Sequence, residues 1–320
     1  MDLLKAEENP SFTPLIGGVS SDIWRVDLQY GPICIKRALP KLKVAADWRA
    51  PIERNASEVA WIEKAAEIVP SCVPTILGQD EAAGLFAMPF YDPTNYKLWK
   101  SELRDGRAES QIAQSVGERL GQIHAETAND SALARQFEND AIFYDIRIEP
   151  YLVATGRAHN DLGAAFERLV SLTAATKFVL VHGDVSPKNI LLGSEGPIFL
   201  DAECACYGDP AFDLAFCLNH LLLKCLWTPA AAGEFLVCFE KMKEAYLSWV
   251  HWEAVEELEQ RTAALLPGLF LARVDGKSPV EYLTKEDDKL RVRRTARALL
   301  AKPVPQLSDI SFAWREELGL

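Results

Sequence analysis

No two cysteines stand at CxxC spacing, and no Cys/His cluster has the spacing of a zinc site, so a structural zinc module is not expected. The seven cysteines (Cys34, Cys72, Cys204, Cys206, Cys217, Cys225 and Cys238) are odd in number, and several lie in apolar runs. Reduced, buried thiols in a cytoplasmic protein are expected. There is no internal repeat, no low-complexity tract, and neither a GxxxxGK[ST] nor a GxGxxG loop. Long uninterrupted apolar runs are missing too. The most apolar stretch, residues 211–227, carries Asp213, Asn219, His220 and Lys224, which fits a buried helix and no membrane span. The opening MDLLKAEENP is acidic and has no apolar centre, so no signal peptide is expected. Basic residues are in deficit, 34 against 46 acidic, for a formal net charge of −12. Such a chain lacks the basic face that a nucleic-acid partner requires, and its acidity admits a cationic small molecule as partner.

What is present suffices for a folded protein of two lobes: 320 residues, 49% hydrophobic and 25% charged. The first ninety residues read as strand-rich. Residues 23–28 alternate apolar and polar, Gln29-Tyr30-Gly31-Pro32 is turn-forming, and residues 33–36 make a second strand of the hairpin. A helical pattern over residues 57–68 stops at Pro70 and Pro74, and a further strand occupies residues 85–88. Beyond the boundary at residues 92–95 the chain becomes helical. Ile112, Val116, Leu120 and Ile123 share one helix face, and Leu162, Phe166 and Leu169 share another, with Asn160 or Asp161 as its expected N-cap. A strand-rich island over residues 178–201 interrupts the helices, and a turn is expected at Pro267-Gly268. The expected lobes are residues 1–91, with a small antiparallel sheet, and 92–320, mainly helical.

The chemistry concentrates in Val181-His182-Gly183-Asp184-Val185-Ser186-Pro187-Lys188-Asn189-Ile190-Leu191-Leu192, followed by Phe199-Leu200-Asp201-Ala202-Glu203. Two apolar runs flank the turn-forming residues 193–197. Pairing them as a hairpin brings Asn189, entering one strand, beside Asp201, leaving the other. Their oxygens can then share one cation, and magnesium favours a few such oxygens together with phosphate. Asp184, five residues before Asn189, lies where a base acting on a bound hydroxyl would stand.

His182-Gly183-Asp184, four residues, then Asn189 resembles the catalytic loop of the aminoglycoside phosphotransferase superfamily, which includes choline and methylthioribose kinases. Asp201-x-Glu203, Tyr207-Gly208-Asp209-Pro210 and Phe212-Asp213 resemble its metal-binding segment. The resemblance implies an α+β, two-lobed, protein-kinase-like fold and an ATP- and Mg2+-dependent kinase of a small hydroxylated molecule. Asp184 would be the catalytic base, Asn189, Asp201 and Glu203 metal ligands, Asp213 a brace for the loop and His182 a structural residue. Lys188 would either touch the transferred phosphate or project into solvent. Residues 15–24 resemble the phosphate-covering loop of that fold, with Gly17 and Gly18 admitting backbone amides to phosphate and Ser20 and Ser21 adding hydroxyls. Lys36 would pair with ATP phosphates and with a carboxylate of the next helix, Glu58 before Glu53 or Glu63. Met88, Phe90 and Tyr91 would form the adenine-holding hinge. Since Pro89 has no N–H, the donor there is Phe90 or Tyr91. The competing readings are a protein kinase, disfavoured by the missing Ala-Pro-Glu segment and the short stretch from Asp201 to Asp213, and an inactive nucleotide-binding module. Asp209 is the carboxylate expected to attract a cationic acceptor.

Overall fold

In the computed structural model of the chain, residues 3, 8–15, 20–43 and 50–320 are described. Gly17 and Gly18 lie outside the described residues. The alternating residues of β2 (Ser21–Leu28) and β3 (Gly31–Ala38) pair antiparallel, with Leu28 opposite Gly31 and Ile23 opposite Lys36. β5 (Leu85–Pro89) adds on the far side of β3, setting Phe86 opposite Lys36. The flanks are β1 (Ser11–Leu15) and β4 (Gly78–Asp80), giving the order β1-β2-β3-β5-β4. Sequence pattern did not signal these two. β1 contains Pro14 and is an exposed edge strand, and β4 has only three residues. Between β3 and β4 runs α1 (Arg54–Ile68), beginning three residues before the expected helix and burying Glu58, Val59, Trp61, Ile62 and Ala65.

The remainder is mainly helical. β6 (Lys97–Leu98) leads into α2 (Trp99–Arg104), α3 (Ser110–Thr127), α4 (Ser131–Gln136) and α5 (Asp140–Phe143). A π-helical stretch, Tyr144–Val153, continues into α6 (Ala154–Ala158), and α7 (Gly163–Ala175) follows. The expected island consists of β7 (Val179–Val181), β8 (Ile190–Gly193), β9 (Gly196–Phe199) and β10 (Cys206–Gly208). β8 and β9 form the expected hairpin, with Ile190 opposite Phe199, while β6 pairs with β8 and β10 with β7. α8 (Pro210–Trp227), α9 (Ala232–Leu247), α10 (Val255–Asp275), α11 (Glu286–Ala301) and α12 (Leu307–Leu318) complete the chain. α8 is buried over all but its last residue, the buried helix anticipated from its composition. No described helix is long and apolar enough to cross a membrane, and all seven cysteines are free and buried.

Two local expectations are corrected. Pro267-Gly268 lies inside α10, where burial on every side overrides its turn propensity. A Cβ on Gly268 would stand 2.6 Å from Leu169 Cδ1, so this glycine admits α7. Neither Asn160 nor Asp161 caps α7: they belong to a 3-10 turn that precedes it, and Asp161 pairs with Arg297.

α3 and α9 touch backbone to backbone at Gly117, where an added Cβ would sit 2.3 Å from the carbonyl oxygen of Met242. No side-chain rotation relieves a clash with backbone. Gly117→Ala is therefore expected to cost about 1–3 kcal/mol, read as a lower midpoint in urea unfolding with an unchanged slope. An unchanged midpoint would mean that the two helices separate freely.

Candidate active site

The loop that carries Asp184 is fixed by one carboxylate. Asp213, in the first turn of α8, accepts the backbone N–H of His182 at 2.7 Å and that of Gly183 at 2.8 Å. Asp209 N-caps the same helix through Ala211 N–H, with Pro210 in its first turn. Gly183 has φ +81°, and a Cβ there would stand 3.0 Å from Cys204 O; left-handed backbone and close approach both require glycine. His182 is fully buried, and burial pushes its imidazole below the usual value despite the pull of Asp213. Nδ1 accepts Asp184 N–H at 3.1 Å and Nε2 lies 3.2 Å from Leu200 O, an arrangement that suits the neutral Nε2–H tautomer. His182 thereby joins the Asp184 loop to the Asp201 segment as a brace.

From the sheet, Lys36 reaches the same place. Its Nζ lies 2.7 Å from both carboxylate oxygens of Glu58 and also pairs with Asp201 Oδ1. Of the three carboxylates weighed from sequence, Glu58 is the partner. Burial opposes the Lys36 charge, but Asp201 and Glu58 outweigh it and hold the ammonium protonated. Burial raises the Glu58 carboxyl against the pull of Lys36. Asp201 has φ +70°, a left-handed conformation uncommon for a residue with a side chain and frequent where geometry is imposed by function.

Arg54, one helical turn before Glu58, is fully buried. Its Nε donates to Glu203 Oε2 at 2.9 Å. Nη1 donates to Ala50 O and Pro51 O, and Nη2 to Ser20 O and Leu39 O, at 2.6–3.1 Å. Glu203 thus spends one carboxylate oxygen, Oε2, on α1. Ser20 and Ser21 are buried at the start of β2, where Ser20 offers its carbonyl to Arg54.

Asp184 is buried, with Oδ2 2.8 Å from Arg147 Nη2 and 3.0 Å from Lys188 Nζ. Burial alone would raise its carboxyl; Arg147 and Lys188 reverse that and hold it below the usual range. Oδ1 is buried and has no hydrogen-bond partner among the described residues. Asn189 donates through Nδ2 to Asp184 O at 3.1 Å, which leaves its amide oxygen available. With Asp201 Oδ2 this is a hard-oxygen donor set of the kind magnesium takes, completed by phosphate and water.

At the lobe junction, Met88 is buried on β5 opposite Cys34. Phe90 N–H donates to Pro32 O at 3.3 Å, which leaves Tyr91 as the uncommitted amide of the expected pair. Asp209 does not face an acceptor: its side chain is buried, capping α8 and meeting Arg261 at 3.3 Å. With its carboxylate spent on Arg261 and the start of α8, Asp209 is not placed for the cation-selecting role expected of it.

The pattern of the phosphotransferase enzyme family (APH) matches residues 11–258. The chain belongs to the phosphotransferase enzyme family. Among curated relatives in it, methylthioribose kinase of Yersinia pseudotuberculosis is 27% identical over 227 residues, covering 63% of this chain and 55% of that protein. The chain thus spans about half the length of the curated relatives it matches. Solved structures share the fold. Plasmodium vivax ethanolamine kinase superposes with a TM-score of 0.57 at 13% identity, over 99% of this chain and 83% of the other. A choline/ethanolamine kinase family protein from Mesorhizobium loti gives 0.50 at 15%, over 97% and 94%. The two-lobed, kinase-like architecture expected from sequence is the one observed.

Two arginines of the site were not legible in the sequence. Arg147 stands between two isoleucines, and a cation enclosed by apolar residues calls for a buried carboxylate. Arg54 lies four residues before Glu58, on the same helix face.

Proposed function

We propose that the chain transfers the γ-phosphoryl group of ATP to a hydroxyl of a small molecule. The observation that carries this reading is the meeting of Lys36, Glu58 and Asp201 beside a loop whose Asp184 keeps one buried oxygen unpaired. Phosphoryl transfer asks chiefly for positioning and charge neutralisation. Lys36, held by Glu58, stands to meet the nucleotide phosphates, and the Tyr91 amide to hold adenine. Asn189 and Asp201 would hold magnesium, which supplies positive charge against the phosphates. Glu203 in this reading ties Arg54, and with it Ser20, to the metal segment. Asp184 orients the acceptor hydroxyl through Oδ1. As the hydroxyl oxygen bonds to the γ-phosphorus, the bond from that phosphorus to the β,γ-bridging oxygen breaks. The hydroxyl proton passes to Asp184 and then to solvent, leaving ADP and a phosphomonoester. Curated relatives are named methylthioribose kinases, which supports a small polyhydroxylated acceptor over a peptide.

The test is ATP turnover across a panel of hydroxylated metabolites, with products read by mass. Transfer is expected to stop when divalent metal is chelated and to return with magnesium. ATP binding without a phosphorylated product from any acceptor would favour the inactive-module reading, and turnover indifferent to chelation would overturn the metal assignment.

A further inference from the structure

A small cavity adjoins the catalytic loop at Lys188, whose Nζ is 3.0 Å from Asp184. Four of its lining side chains are basic, Lys100, Lys188, Lys224 and Arg273, against the single carboxylate of Glu281. That carboxylate is already paired with Lys100. Lys224, on α8, is 1% exposed. It has no carboxylate or hydrogen-bond acceptor among the described residues, and its Nζ rests 4.1 Å from the Trp227 ring centre and 3.8 Å from that of Tyr282. A buried ammonium without a counter-charge is costly. Burial, with Lys100 adding repulsion, pushes this one down to about 6. Three further groups on the same walls are buried and have no partner among the described residues: His220 Nε2, Arg273 Nε and the Tyr282 hydroxyl. Buried polar groups nearly always have partners. Here the missing partner must accept from basic groups, and the cavity, about 30 Å³, admits only a compact one.

We infer that this cavity binds the anionic head, carboxylate or phosphate, of a hydroxylated acceptor. The inference deepens the kinase reading and rests on it only for the transfer step. Anchored against Lys224 and Lys188, such an acceptor brings its hydroxyl toward Asp184. A cationic acceptor would instead meet Arg273, which has no carboxylate partner among the described residues, and would gain nothing from Lys224, whereas an anion draws a proton onto it. The net charge of −12 does not bear on this choice, because exposed charge is screened beyond about 10 Å at 0.1 M salt, whereas these basic groups line the cavity itself.

Two measurements separate this inference from the function it builds on. Binding of glycerate and of inorganic phosphate is measured by calorimetry on the full chain, saturated with a non-hydrolysable ATP analogue and magnesium. Both anions are expected to bind. Lys224→Met is expected to weaken them about 10- to 100-fold, as loss of one charge-assisted contact does, and Lys224→Arg to restore much of the affinity. If neither anion binds, or if Lys224→Met binds them as the parent does, the anion site is overturned whatever the enzyme's activity. Circular dichroism and the unliganded thermal midpoint check that each variant is folded. Turnover is then compared across hydroxy acids and sugar phosphates, their neutral parents, and choline or an aminoglycoside. Transfer to the anionic set, with Lys224→Met raising the acceptor KM far more than it lowers kcat, supports the inference. Transfer only to neutral or cationic acceptors rejects it and leaves the kinase reading standing. Anion binding that depends on Lys224, with no transfer to any class, would keep the site and reject the kinase.

Discussion

Asp184→Asn is expected to lower turnover by about 10²-fold or more while ATP affinity stays within a few-fold. The substitution keeps the size of the side chain and an oxygen in place of Oδ1, but removes the charge that Arg147 and Lys188 surround. Those cations hold the carboxyl below its usual range, so Asp184 is a poor proton sink in the resting enzyme. Its contribution is a fixed, ionised acceptor that orients the hydroxyl and takes the proton late, when the oxygen has already bonded to phosphorus. Nucleotide contacts lie with Lys36, Asn189 and Asp201 in the proposed arrangement, which is why affinity for ATP should survive. Steady-state kinetics together with a nucleotide titration check both halves. Near-normal turnover would show that another group handles the hydroxyl, and a large loss of ATP affinity would place Asp184 at the phosphates instead.

Arg54→Met is expected to destabilise the fold by about 3–5 kcal/mol, the usual consequence of removing one partner from a buried ion pair. Glu203 would keep a buried charge without its cation, and the carbonyls of Ser20, Leu39, Ala50 and Pro51 would each lose a donor. Lysine cannot replace it, because no ammonium reaches five acceptors from one plane. Denaturant unfolding measures the loss. Nucleotide binding measured below the unfolding transition should weaken as well, since Arg54 holds the start of β2. A variant with the stability of the parent would mean that the guanidinium is dispensable.

How much could be read beforehand depended on how local each cause was. The Asp184 loop and the hairpin that presents Asn189 and Asp201 are contiguous in sequence, with turn residues and apolar runs in plain order. Lys36 and Glu58 were legible as a strand residue followed by a helix residue. Arg147 and Arg54 were not, because their partners lie 37 and 149 residues away, and no periodicity records a distant ion pair. Pro267-Gly268 misled for the opposite reason: a strong local turn signal yields where a helix is enclosed by its neighbours. Asp209 misled because proximity in sequence to the metal segment says nothing of the direction in which a side chain turns. The basic wall of Lys100, Lys224 and Arg273 draws on three separate helices and is visible only once they are folded together.

α1 is fastened to the helical lobe at three heights. Arg54 meets Glu203, Ser57 Oγ accepts from Asn139 Nδ2 at 3.1 Å, and the Trp61 ring lies edge-on to His182 at 4.6 Å. Protein kinases are switched by moving the corresponding helix, which makes or breaks the lysine–glutamate pair. Here the helix is tied to the catalytic loop and the metal segment in the arrangement that already pairs Lys36 with Glu58. For the proposed transfer, the same three contacts that hold α1 also hold the lysine–glutamate pair in register with the Asp184 loop.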